Sequence, residues 1–139
     1  MINYDKTKEI ASYLGIDDVL NSYPEELSGG QAQRVQLARA VILQPDVLLL
    51  DEVTSSIDPQ TTNEVVQALW RMKELKLDKS QTIILVTHLI DFASSFCDRI
   101  LFLNQGIIFE ENIASNFINN VKKKETKEFI KKSYIREIK

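Results

Sequence analysis

The sequence predicts an α/β fold with a mainly parallel sheet, and three observations predict it. Short uninterrupted apolar runs occur at Val47-Leu48-Leu49-Leu50 and Thr82-Ile83-Ile84-Leu85-Val86. Helical spacing of apolar residues lies between and around them. Cap and turn residues mark the joints, so strands alternate with helices along the chain. Runs that are continuous rather than alternating mark strands covered on both faces, as in a parallel sheet.

Taken in order, residues 5–14 read as a short helix with Ile10, Tyr13 and Leu14 on one face, ended by Gly15. A loop follows through Asp17-Asp18 to Tyr23-Pro24. Ser28 then caps a second helix, with Gln31 completing a capping box. Val35, Leu37, Ala38, Val41 and Ile42 form its buried face, and Gln44-Pro45 stops it. The run Val47–Leu50 is the first strand. Residues 59–76 form a helix with Val65, Val66, Leu69, Trp70 and Met72 inward, Asp58 as cap and Pro59 in the first turn. Thr82–Val86 is the second strand, 89–96 a short helix and Arg99–Leu103 a third strand. Asn104-Gln105-Gly106 turns the chain so that Ile107-Ile108-Phe109 pairs back as a hairpin. Residues 113–135 read as helical.

Composition excludes several function classes. The 139 residues are 44% hydrophobic and 27% charged, ordinary for a globular domain. No apolar run reaches the roughly 18 residues of a membrane span. The first residues carry no apolar signal segment. One cysteine, Cys97, and one histidine, His88, exclude a thiolate or imidazole metal cage and fit a reducing cytoplasm. Residues 1–121 hold 9 basic and 17 acidic residues, whereas 122–139 hold 8 basic and 3 acidic. Such a tail suits an anionic surface or a solvated helix. It carries no base-reading motif, so no nucleic-acid partner is expected.

Several residues carry candidate chemistry, each with a plainer alternative. Asp51 and Glu52 follow the first strand, at the carboxyl end where open α/β sheets bind ligands. Two acids there hold Mg²⁺ and position a water, or merely end a strand. Ser28-Gly29-Gly30-Gln31 places a helix N-terminus and two missing side chains where a phosphate can approach, or is a plain capped loop. His88 follows the second strand and contacts a phosphate or serves structure. Asp58, in Ser55-Ser56-Ile57-Asp58, reaches across an interface or caps a helix, or both.

Together and in this order, these segments resemble an ATP-binding-cassette ATPase domain. Leu27-Ser28-Gly29-Gly30-Gln31 and the following Ala32–Ala40 resemble the signature motif and helix. Leu48-Leu49-Leu50-Asp51-Glu52 resembles Walker B with the catalytic glutamate. Ser55-Ser56-Ile57-Asp58 resembles the D-loop and Val86-Thr87-His88 the switch histidine. Asp98-Arg99-Ile100 and Gly106-Ile107-Ile108 resemble the terminal strands. The similarity runs from about residue 8 to 112. Glu125-Thr126-Lys127-Glu128-Phe129 is similar to the ends of polar amino-acid importer ATPases.

The resemblance implies a partial P-loop NTPase (RecA-like) cassette. Its parts would be residues 1–45 from the helical subdomain, 46–112 from the RecA-like core and 113–139 as a basic helical tail. ATP and Mg²⁺ are the implied cofactors. Asp51 would hold Mg²⁺, often through water, while Glu52 and His88 would be catalytic. Ser28, Gly29, Gly30 and Gln31 would grip the ATP of a partner, and Ser55, Ser56 and Asp58 would pass structure across the dimer. The departure is the phosphate-binding loop: no Gly-x-x-x-x-Gly-Lys-Ser/Thr occurs, and none of the four glycines precedes a lysine. Val53 also replaces the usual proline. The expectation is therefore a chain at the inner face of the membrane that works with a P-loop-bearing half or an intact cassette, and with permease subunits, in amino-acid import. The alternative is an inactive remnant or a non-catalytic module that binds transporter subunits. An uncovered apolar face and exposed sheet edges are expected as well.

Overall fold

A computed structural model describes residues 4–54, 58–74 and 81–137. They form two compact units, Met1–Val86 and Thr87–Lys139.

The first unit packs three helices against one another beside a two-stranded sheet. Helix α1 (Tyr4–Leu14) ends in a Schellman cap: Gly15 takes φ 64°, its N–H donates to Ser12 C=O, and Ile16 N–H donates to Ala11 C=O. The buried face of α1 is Ile10, Ala11 and Leu14, with Ile16 beyond it. Tyr13, expected inward, is exposed: at helical spacing it falls one residue outside the Ile10–Leu14 stripe. Short helical turns at Asp17–Val19 and Pro24–Glu26 fill the loop that follows. Helix α2 (Gly29–Val41) buries Leu37 and Val41 as expected, and stops before Gln44, whose φ is 47°. Helix α3 (Pro59–Glu74) buries Val65, Ala68, Leu69 and Met72. Trp70 leaves that stripe and stays exposed, with Lys73 over its ring. An ion pair between Arg34 and Glu64 at 2.5 Å joins α2 to α3.

Strand β1 (Val47–Asp51) pairs in parallel with β2 (Thr82–Val86), Leu48 opposite Ile83 and Asp51 opposite Val86. The Gln81 side chain donates to Pro45 C=O at 2.8 Å and fixes the entry to both strands. Here the reading of strands covered on both faces fails, and the expectation of an uncovered apolar face holds. Leu48 and Leu50 are buried, but Leu49 is 70% exposed and Val47, Ile84 and Val86 are exposed with it. Within the first unit the pair has one covered face, not two.

The second unit begins with helix α4 (Ile90–Phe96). Strands β3 (Arg99–Asn104) and β4 (Ile107–Ile113) form an antiparallel hairpin. Gln105 and Gly106, with φ 50° and 77°, make the left-handed two-residue turn such hairpins favour. Strand β4 runs four residues past the expected Phe109. The tail is not one helix: a helical turn at Ala114–Asn116 leads into α5 (Phe117–Asn120), and α6 (Lys124–Glu137) follows after a break. Glu110 sets that break by accepting from Lys122 N–H at 2.5 Å and Lys123 N–H at 3.3 Å, an anion placed at a helix start. Burial opposes ionisation of Glu110, but these N–H groups and the Lys123 charge outweigh it and hold its carboxyl below the ordinary range. Ile90, Phe117, Val121 and Ile130 form the core, with Ile100, Phe102, Ile118 and Tyr134 at its edge. Among the described residues no helix is long and apolar enough to cross a membrane.

Candidate functional site

The site in the first unit is built from two chain ends of regular structure. At the start of α2 the capping box is closed in both directions. Ser28 Oγ accepts from Gln31 N–H at 3.2 Å, and Gln31 Oε1 accepts from Ser28 N–H at 2.9 Å. The Ser28 hydroxyl hydrogen is not used in this box and remains a donor. The first intrahelical bond runs from Ala32 N–H to Ser28 C=O. Gly29 and Gly30 therefore begin the helix with amides that have no intrahelical acceptor, at the positive end of its dipole.

The two glycines differ. Gly30 is buried, and a Cβ there would meet Thr61 Cγ2 of α3 at 2.5 Å, so packing alone requires it. Gly29 is exposed, has no positive φ, and a Cβ there would meet nothing within 4 Å among the described residues. Sequence reading missed Thr61, because no local pattern links two residues brought together only by helix packing.

At the carboxyl end of β1, Asp51 is exposed beside Val86 of β2. Glu52 is exposed as well and has φ 44°, a left-handed backbone that a glutamate adopts only when held. It is held by its N–H, which donates to Val86 C=O at 2.9 Å. The geometry thus turns the chain sharply after the strand and presents two successive carboxylates at the sheet end. Among the described residues no three His, Cys, Asp or Glu side chains converge as a metal cluster. Asp58 is exposed and caps α3, accepting from Gln60 N–H and Thr61 N–H, each at 3.0 Å, and from the Thr61 hydroxyl at 2.5 Å. The Thr61 hydroxyl, then the Thr61 and Gln60 amides, hold its carboxyl below the usual value. Its helix-capping role is therefore present whatever else it does. Ser55 and Ser56 lie outside the described residues.

His88 belongs to the second unit. It is exposed, in the bend before α4, where Leu89 N–H donates to Thr87 Oγ1 at 3.1 Å.

Comparison with known proteins places these features. The model of the ABC transporter family matches residues 3–55, which include the Ser28–Gln31 box and the Asp51-Glu52 pair. The chain is 40% identical over 128 residues to the arginine transport ATP-binding protein ArtM of Bacillus subtilis (strain 168), covering 92% of this chain and 52% of that protein. It is 43% identical over 129 residues to the glutamine transport ATP-binding protein GlnQ of Geobacillus stearothermophilus, covering 90% and 52%. The chain thus spans about half the length of these relatives. Among solved structures it matches a chain of a metal-chelate type ABC transporter in an inward-facing conformation, with TM-score 0.70 and 25% identity, over 84% of this chain and 45% of that one. The fold, the matched motifs and the relatives agree: over most of its length this chain is similar to the ATP-binding domain of ABC transporters.

Proposed function

We propose that the chain is the signature- and Walker-B-bearing part of a subunit that hydrolyses ATP to drive amino-acid import. In this reading Ser28 to Gln31 grip the γ-phosphate of an ATP held by a partner cassette. The observation that carries it is Gly29. Where the backbone suits alanine, glycine costs about 0.4–1 kcal/mol relative to it, through the greater entropy of the unfolded chain. Among the described residues neither backbone conformation nor packing asks for it. A ligand pressed against the helix start does, since only a bare Cα lets phosphate oxygens reach the amides.

The residues fit the carboxylate share of an ATP–Mg²⁺ site. Mg²⁺ takes one or two carboxylates and completes its shell with phosphate and water oxygens, and Asp51 offers one such carboxylate. When bound, the ion neutralises charge that develops on the transferred phosphoryl group. Glu52 accepts a hydrogen bond from the attacking water and orients it, and His88 donates to a γ-phosphate oxygen. Ser55, Ser56 and Asp58 serve the dimer contact. The proposed parts are 1–45 in the helical subdomain, 46–112 in the RecA-like core and 113–139 as the tail. The phosphate-binding loop comes from outside these 139 residues, so the chain by itself binds ATP weakly: Asp51 and Glu52 meet the triphosphate with like charge. The names of the relatives, among them an L-cystine import ATP-binding protein, support amino-acid import; permease subunits as partners and a peripheral place at the inner membrane face follow only from the resemblance to the family.

The test is reconstitution. Added to a P-loop-bearing cassette, the chain should raise ATP hydrolysis saturably. Ser28→Arg should remove that gain, and Glu52→Gln should lower it by about 10²–10³-fold, the usual loss of a group aligned on the transition state. No gain on mixing, or a gain indifferent to Ser28→Arg, overturns the reading. A second reading, a non-catalytic module binding transporter subunits, is favoured by the open apolar face of β1–β2. It predicts binding to the partner with no gain in hydrolysis.

A further inference from the structure

We infer that α6, the basic C-terminal helix, positions His88, and that Tyr134 and Asp91 are the positioning residues. Two successive residues of the first turn of α4 are each held by α6. Ile90 is buried in one cluster with Ile130 of α6. Its neighbour Asp91 accepts a hydrogen bond at 2.6 Å from the hydroxyl of Tyr134, one turn along α6 from Ile130. A shared apolar cluster and a directional hydrogen bond to a carboxylate thus join neighbouring residues of α4 to α6, beside the packing of α4 on the Ala114–Asn116 turn and β3. His88 stands two residues before Ile90. The intervening backbone has little slack, because Leu89 N–H is tied to Thr87 Oγ1. The bend that carries the imidazole is therefore fixed from its C-terminal side by α6, whose own start is fixed by Glu110. A charge-assisted hydrogen bond directed at one atom is an economical means of holding a loop in one conformation.

The functional side of this inference rests on His88 contacting phosphate, as proposed above; the positional side does not. His88 is the single histidine of the chain, so its imidazole gives one unambiguous NMR signature. The experiment compares the full chain with Tyr134→Phe, Asp91→Ala and Asp91→Asn, by imidazole NMR and by hydrogen exchange of 88–93. Tyr134→Phe and Asp91→Ala should move the His88 signals toward those of a free imidazole. Both should speed exchange of 88–93 by about three- to tenfold, the range for losing one partly solvated charged hydrogen bond. Asp91→Asn keeps a carbonyl acceptor and should rescue both readouts. Exchange in β3 should stay as in the wild type. Unchanged His88 signals in Tyr134→Phe, or exchange that rises equally throughout the second unit, overturns the inference. Neither readout needs nucleotide. In the reconstituted ATPase, Tyr134→Phe should lower kcat several-fold with KM for ATP unchanged. If His88→Ala leaves that activity intact while the NMR result holds, the phosphate role of His88 fails and the positioning stands.

Discussion

Gly29 and Gly30 are adjacent, and the sequence gives both the same reading, two missing side chains at a helix start. The structure separates them. At Gly30 an alanine methyl would sit 2.5 Å from the Thr61 methyl, so α3 or its threonine has to move. Gly30→Ala should therefore destabilise the chain by about 1–3 kcal/mol, the usual cost of overpacking a well-fitted contact. Gly29→Ala should do the reverse, adding up to about 1 kcal/mol by lowering the entropy of the unfolded chain and raising helix propensity. Urea unfolding midpoints of the two variants check this. If Gly29→Ala destabilises as much as Gly30→Ala, the fold itself requires both glycines, and the argument that Gly29 serves a ligand falls. Glu52 shows a second limit at this scale. Its place after an apolar run marks it as a strand-end acid, yet the left-handed φ of 44° that aims it is set by the bond to Val86, 34 residues on, which no local pattern records.

Element starts were legible in the sequence and element surroundings were not. Ser28 with Gln31, Asp58 before Pro59, and Gly15 after Leu14 act through bonds that span a few residues, so their caps could be read directly. The cover of β1 and the break before α6 depend on partners distant in sequence. The cap of α3 carries a pH prediction. Asp58 has its carboxyl lowered from 3.8 chiefly by the Thr61 hydroxyl and then by the Thr61 and Gln60 amides. A carboxyl lowered on folding adds stability that is complete above its unfolded value and is lost as pH falls through its folded value. The stability difference between the wild type and Asp58→Ala should thus be constant above the ordinary carboxylate range and shrink as pH falls through the lowered folded value of Asp58. Asp58→Asn caps without titrating, so its difference from Asp58→Ala should not vary with pH. Equal acid sensitivity in the wild type and Asp58→Asn would assign the effect to another carboxylate.

At the scale of the molecule, the sheet of the first unit is the feature that sets behaviour in solution. Leu49 and Ile84 stand opposite each other in register, and Val47 and Val86 extend the same exposed apolar face. Apolar surface gathered on one flat sheet face favours association, because burying it releases about 25 cal/mol per Å². The purified chain should therefore self-associate with rising concentration, seen as growing mass in light scattering. Leu49→Lys with Ile84→Glu places two opposite charges side by side at the centre of that face. It should abolish association while changing folding stability by no more than about 0.5 kcal/mol, the usual range for surface substitutions. The same pair discriminates between sources of stickiness, since the hairpin of the second unit also exposes Leu103, Ile107 and Ile108. If the double variant still associates, the hairpin carries the contact and the β1–β2 face is not the dominant surface. If it becomes monomeric and also loses its capacity to raise hydrolysis in a P-loop-bearing cassette, while Ser28 and Glu52 are intact, then one face serves both events. The apolar side of β1–β2 would then be where the rest of the working ATPase docks.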